Sequence, residues 1–226
     1  MGKREDGRAR IERQIIEIGR RHLVTEGAAG LSLRAIARDL GMVSSAVYRY
    51  VASRDELLTL LLIDAYTELA DAVDQAHRDA GPDWQSRLHA VAHAARTWAR
   101  DQPACWALLY GSPVPGYHAP AERTVGPGTR VIGTLFGIID AAVAPGAIGE
   151  VTKPVPQPLS SDFEKLKAEF GITLDDGTLA RCFLLWAALV GAISLEVFGQ
   201  YGADTFTDPT VIFDVQLRLL TEMLTQ

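Results

Sequence analysis

The sequence predicts an all-α protein of about nine or ten helices: a basic N-terminal three-helix head, then a long helix leading into a larger helical domain. Two observations predict it. Apolar residues recur every three to four positions in run after run, and the runs are punctuated by Gly and Pro. Charge is also divided: residues 1–54 hold eleven Lys and Arg against six Asp and Glu, a net of +5, whereas residues 55–226 hold eleven against 22, a net of −11. A basic head on an acidic body directs the head alone at a polyanion. With 226 residues, 48% of them hydrophobic, the chain can bury a core without disulfides or a structural metal. Cys105 and Cys182 stand far apart without CxxC spacing, which argues against a zinc ribbon, a disulfide framework or a thioredoxin-like pair.

From Arg8 to Glu26, Ile11, Ile15, Ile18 and His22, flanked by Ile16 and Leu23, follow helical spacing, and Gly27 is placed to end the helix. Ser32 can cap a second, two-turn helix carrying Leu33, Ile36, Ala37 and Leu40, with Gly41 as its left-handed C-terminal residue. Ser44 or Ser45 can cap a third short helix running through Tyr50. Ser53-Arg54-Asp55-Glu56 reads as a capping box that opens a long helix, whose stripe is Leu58, Leu61, Leu62, Ala65, Leu69, Ala72 and Ala76. Two short helices joined at Gly41 inside a basic head are the ingredients of a helix-turn-helix, whose second helix enters the DNA major groove.

The string LSLRAIARDLGMVSSAVYRYVASRDELL resembles the DNA-binding segment of the TetR/AcrR family of transcriptional regulators. The resemblance covers roughly residues 8–70 and rests on the helix ending before Gly27, on Ile36, Ala37 and Gly41 at the turn, and on Tyr48. Val51 stands where Phe is common, Arg54 where Lys is commoner, and Val43 where a capping Ser or Thr is frequent. The resemblance implies a helix-turn-helix DNA-binding domain over residues 1–54, with its motif at about 32–51, and a ligand-binding and dimerisation domain over 55–226. It places Arg34 at the start of the second helix and Ser44, Ser45, Ala46, Tyr48, Arg49 and Tyr50 on the third. Small residues at 44–46 let the backbone approach base edges, and Arg34 is the expected guanine reader. Tyr48, Tyr50 and Arg54 are expected to grip phosphates, which sets register and salt dependence. Arg4, Arg8 and Arg10 are candidates for a mobile arm reaching a minor groove.

The body continues as helices. Trp84, Leu88, Val91, Ala92, Ala95 and Trp98 mark one, and another starts near Pro103. The proline-rich stretch 111–128 reads as a loop, followed by a helix over Thr129–Val143. A second irregular stretch is marked by Pro145, Pro154, Pro156 and Pro158, ahead of a brief helix over Asp162–Phe170. Between Arg181 and Glu196 the chain is apolar on every face. Its charge-free core of 14 residues is short of the roughly 18–20 that span a bilayer, so it reads as a core helix and no membrane is expected as a partner. Small residues at Ala187 and Gly191, and at Ala188 and Ala192, permit close helix approach. The last helix, opened by Asp208 and Pro209, offers a stripe of Ile212, Val215, Leu219 and Met223. These two helices are expected to pair with their copies across a two-fold axis as a homodimer, which also suits a head that reads a palindrome. The segment WAALVGAISLEVFG and the loop LLYGSPVPGY resemble the C-terminal domain of one branch of the same family.

No catalytic constellation emerges. His89 and His93 are four apart on a helix, but no Glu intervenes as in HExxH and no third ligand is near, so neither a metal nor a cofactor is expected. The family resemblance implies an effector cavity enclosed by the helices between Trp84 and Glu196. Candidates to line it are Trp98, Trp106, Tyr110, Tyr117, Phe136 and Trp186, which favour an apolar or aromatic small molecule that alters the spacing of the two heads. The polar N-terminus MGKREDGRARIERQ lacks the apolar core of a secretory signal, so a cytoplasmic, nucleoid-associated protein is expected. The expected function is therefore transcription regulation as a dimeric, ligand-released repressor. The alternative is a helical small-molecule-binding or catalytic protein whose head docks a protein.

Overall fold

The computed structural model describes residues 3–225 apart from 144–145, 150 and 152–153, and among these it holds ten helices and no strand. They are α1 (Lys3–Gly30), α2 (Leu33–Asp39), α3 (Ser44–Val47), α4 (Arg54–Asp79), α5 (Trp84–Asp101), α6 (Pro103–Tyr110), α7 (Ala121–Val143), α8 (Leu159–Phe170), α9 (Asp176–Val197) and α10 (Pro209–Thr225). The chain divides into two compact units, one of Met1–Glu68 with Asp101–Gly128 and the other of Leu69–Arg100 with Thr129–Gln226. Packing thus parts the chain elsewhere than at residue 54. The reason lies in the first unit's core, where Leu57, Leu58 and Leu61 of α4 join Ile15, Ile18, Leu23, Ile36, Val47 and Val51, with Ala104 and Leu108 of α6 packed against them.

Local chemistry fixes the head. Gly19 allows α1 to approach α4, because a Cβ there would meet a Leu61 methyl at 3.2 Å. Ordinary helix geometry in α1 stops at Gly27, whose φ is 66°. Ser32 caps α2 by accepting from the Ala35 N–H. At its other end Gly41, with φ of 65°, donates to Arg38 O while Met42 donates to Ala37 O, the paired bonds of a Schellman turn. That turn sets the angle at which α3 departs. The third helix is shorter than its spacing predicts: it ends at Val47, and Tyr48–Tyr50 form a turn. Ser53 caps α4 through the Glu56 N–H. The Glu56 carboxylate pairs with Arg123 at 2.7 Å.

Three expectations, one in the head and two in the body, need correction. Residues 121–128 are not loop; α7 starts at Ala121 and continues through Pro127. Buried Thr124 donates to Pro120 O, and Gly128 lies where a Cβ would be 3.3 Å from the Tyr66 ring, so packing holds this stretch helical. The N-terminal residues do not form a separate arm, because α1 is helical from Lys3. Arg8 pairs with Glu12 and lies over the Tyr50 ring; the Arg4 side chain and Pro145 lie outside the described residues. Finally, α9 is a core helix on one face only. It buries Leu179, Cys182, Leu185, Leu189 and Ile193, while Leu184, Ala187 and Leu195 are exposed. By length and composition alone it is apolar enough to cross a membrane.

The second unit is clamped by a buried ion pair. Arg96 on α5, 4% exposed, donates Nε and Nη2 to both carboxylate oxygens of Glu196 on α9 at 2.6 and 2.7 Å. Its guanidinium also lies 5.3 Å from the Phe213 ring centroid of α10, which joins three helices at one point. Bidentate Arg–carboxylate geometry of this kind is the form in which a buried charge is tolerated.

Candidate nucleic-acid interface

The groove beside α2 and α3 is built from residues that local structure turns outward. Buried Leu33, Ile36, Ala37 and Val47 hold the two helices to the core. The positions out of phase with them, Arg34, Arg38, Ser45, Tyr48 and Arg49, are exposed. Leu31, Ser32, Leu33, Arg34, Tyr48 and Arg54 line a concavity of about 260 Å³. Two arginines and a tyrosine thus border one concavity, residue types that can meet a phosphate oxygen or a base edge.

The eight expected DNA residues divide by environment. Arg34, on α2, is exposed, as are Ser45 on α3 and Arg49 in the turn that follows it, while Ser44 and Ala46 of α3 are half-buried. Tyr48 is 44% exposed. Tyr50, by contrast, packs against the head core beneath the Arg8 guanidinium. Arg54 has a structural task as well: its Nη2 donates to the carbonyls of Ala28 and Ala29 at 2.9 and 3.0 Å, which ties the end of α1 to the start of α4. A cation at a helix C-terminus also complements the helix dipole. His22 on α1 meets Asp39 of α2 at 2.7 Å, and that contact holds the Asp39 carboxyl below the usual carboxylate range. Sequence spacing did not reveal the His22–Asp39 or Arg54 contacts, since their partners lie 17 to 26 residues away.

A second exposed surface lies on α9 and α10. Ala187 and Leu219 are exposed, while Ala188, Gly191, Ala192, Ile212, Val215 and Met223 are half-buried. Ala188, Gly191, Ala192 and Leu219, with Leu195, Tyr201, Gln216 and Leu220, line an open groove of about 390 Å³. Leu184, Phe198 and Val211 add further exposed apolar area that the spacing of small residues had not singled out.

The six expected effector residues fall into both units. Trp106, Tyr110 and Tyr117 belong to the first unit, where the Tyr117 and Thr59 hydroxyls are 2.9 Å apart and burial raises the Tyr110 phenol. Trp98, Phe136 and Trp186 belong to the second. Phe136 is enclosed by Phe170 and Phe183. The buried Trp98 indole Nε1 has no hydrogen-bond partner among the described residues.

Of the histidines, His93 pairs with Asp214 at 2.8 Å, and burial, followed by the charge of His93, lowers His89. Among the described residues no group of three His, Cys, Asp or Glu is placed to hold a metal. Both cysteines are buried; burial pushes the Cys105 thiol up and the Cys182 thiol up to about 12, so neither has thiolate character.

Comparison with known proteins shows the family of the chain. Residues 88–220 match the family described as tetracyclin repressor-like, C-terminal domain. Over its whole length the chain is 62% identical to an HTH-type transcriptional regulator of Mycobacterium tuberculosis and to one of Mycobacterium bovis, in each case covering 97% of the relative. Among solved structures, the regulatory protein SCO4313 has a TM-score of 0.79 at 31% identity, over 98% of this chain and 100% of that one. FadR from Bacillus subtilis, solved in complex with stearoyl-CoA, has a TM-score of 0.65 over 92% of this chain and 96% of its own. At 13% identity it shares the fold alone.

Proposed function

The chain belongs to the TetR family and is a DNA-binding transcriptional regulator, not an enzyme; from that premise we propose that it is a dimeric cytoplasmic repressor released from a palindromic operator by an apolar small molecule. The observation that carries the DNA half of this reading is that Arg34, Tyr48 and Arg54 line one groove and that Ser45 and Arg49 are exposed. Arg34 reads a base edge and Ser44, Ser45 and Ala46 let α3 come close to the groove floor. Tyr48 and Arg49 engage phosphates. Arg54 serves mainly to position the groove, because its Nη2 is committed to α1 carbonyls. Tyr50 supports it from beneath.

The second copy belongs on α9 and α10. Leu184, Leu195, Phe198, Val211 and Leu219 are all among the exposed large apolar residues there, and covering such a surface is what the hydrophobic effect favours. A two-fold interface self-pairs the same patch on both subunits and sets two recognition segments a fixed distance apart. The effector is expected to be largely apolar with at least one acceptor for the buried Trp98 indole N–H, which has no partner among the described residues. It acts by binding the DNA-incompetent spacing more tightly, since equal affinity for both states shifts nothing.

The test is titration of the full chain onto DNA from upstream of its own gene and onto scrambled DNA of equal length, over a salt series. Specific binding whose affinity falls steeply with salt, and by about tenfold or more in Arg34→Ala, is expected. Equal binding to both DNAs, insensitive to Arg34, would sink the assignment of this groove.

A further inference from the structure

We infer that Val43 is a specificity-determining residue of the DNA interface, and that it reads the C5-methyl group of a thymine in the major groove. This rests on the reading of α2 and α3 as the DNA-binding face. Val43 is 72% exposed, equal to Val24 on α1 and above the other large hydrophobic side chains among the described residues. It stands at the N-cap of α3, where Ser, Thr, Asp or Asn would accept a hydrogen bond from the first turn; here that bond is missing. The chain thus gives up a cap and leaves an apolar side chain in water at the same position. Local rules broken together without a compensating contact mark a place where a partner supplies the compensation.

The position is also rigid. On one side Met42 is packed against the head core and donates to Ala37 O in the turn after α2; on the other, the Val43 carbonyl accepts from the Ala46 N–H at 2.9 Å. A β-branched side chain adds its own χ1 restriction. Two methyl groups are therefore presented in a fixed direction, immediately before Ser44 and Ser45, on the segment that meets base edges. Among the features that base pairs display in the major groove, the thymine methyl is the apolar one. Ser at this site would restore the cap and have nothing to offer that methyl.

The experiment uses the full chain. An operator is selected from a randomised duplex library, and each of its thymines is then replaced singly by deoxyuridine, which lacks only the C5-methyl. Wild-type protein should lose about fourfold in affinity at one position of a half-site, the effect of one buried methyl. Val43→Ala should lose that sensitivity while keeping the same response elsewhere, and Val43→Ser should do likewise while melting no earlier than wild type. Identical deoxyuridine profiles for wild type and Val43→Ala would overturn the inference and leave the DNA-binding reading intact. Failure to select any DNA at low salt would overturn both.

Discussion

The face carried by α2 and α3 and the face carried by α9 and α10 both leave side chains in solvent, but of opposite kinds and on differently braced scaffolds. On the first, guanidinium, hydroxyl and phenol groups point outward from two short helices whose junction is set by backbone hydrogen bonds at Gly41 and Met42 and by Arg54 donating to Ala28 and Ala29. On the second, Leu184, Leu195, Val211 and Leu219 stand exposed on long helices braced from behind by a buried ion pair, Arg96 with Glu196. A surface that reads a fixed pattern of donors and acceptors needs angular precision, which directional bonds to backbone provide. A surface that is to be covered by its own copy needs area and complementarity. The same distinction says which substitutions cost stability and which cost only recognition.

The largest effect should come from breaking the brace. Arg96→Ala leaves the Glu196 carboxylate buried without its bidentate partner and should lower stability by about 3–5 kcal/mol, read as thermal or urea unfolding. Arg100, 3.4 Å from Glu196, offers only partial relief. Removing both charges should cost less than the sum of the single changes. A loss under about 1 kcal/mol would mean that the α9–α10 face is held by apolar packing alone.

A smaller and more discriminating effect separates two arginines that line the same groove. Arg34→Ala should weaken operator binding by about tenfold or more with the melting temperature unchanged, because its side chain is exposed. Arg54→Ala should instead destabilise the head by about 1–2 kcal/mol, because two carbonyls at the end of α1 lose their donor. If Arg54→Ala retained full stability and lost only DNA affinity, its role would be that of a phosphate contact.

The smallest effect concerns acid. In the second unit four aspartates are held below the usual carboxylate range: Asp83 by the Ser86 hydrogen bonds, Asp176 by Lys167 and Ser160, and Asp208 by the Thr210 N–H and hydroxyl. At Asp175 burial works the other way, but hydrogen bonds from Thr178 and from the backbone of Val151 and Gly177 together outweigh it. Groups lowered on folding add stability that is fully present above the unfolded carboxylate value of about 4 and is lost as pH falls through the lower folded values. Hydrogen exchange between about pH 5 and 3 should therefore show the starts of α5, α9 and α10 loosening first. In the head Asp39 is the one aspartate with such a lowering among the described residues. Loosening of α2 before α9 would contradict this ordering.

Much of the fold follows from contacts that span four residues or fewer. Ser32, Ser53, Asp83, Asp175 and Asp208 each cap a helix through a backbone N–H two or three residues on, and Gly41 closes α2 with a left-handed residue. Such chemistry is written as spacing, so the helix-turn-helix and the outward set of Arg34, Ser45, Tyr48 and Arg49 were legible in the sequence. What the tertiary structure decided are pairings over long loops. Arg54 meets the end of α1, Glu56 meets Arg123 instead of closing its own capping box, and Arg96 meets Glu196 across 100 residues. Stretch 121–128, with its two glycines and a proline, reads as loop until Tyr66 and Pro120 are found packed against it. For α9, apolar on every side, periodicity identifies no inner face. Burial of Leu185 and Leu189 with exposure of Leu184 and Ala187 was settled only by how neighbouring helices, α8 and α10 among them, lie against it, because hydrophobic burial is non-directional and takes its direction from whatever the rest of the chain brings alongside.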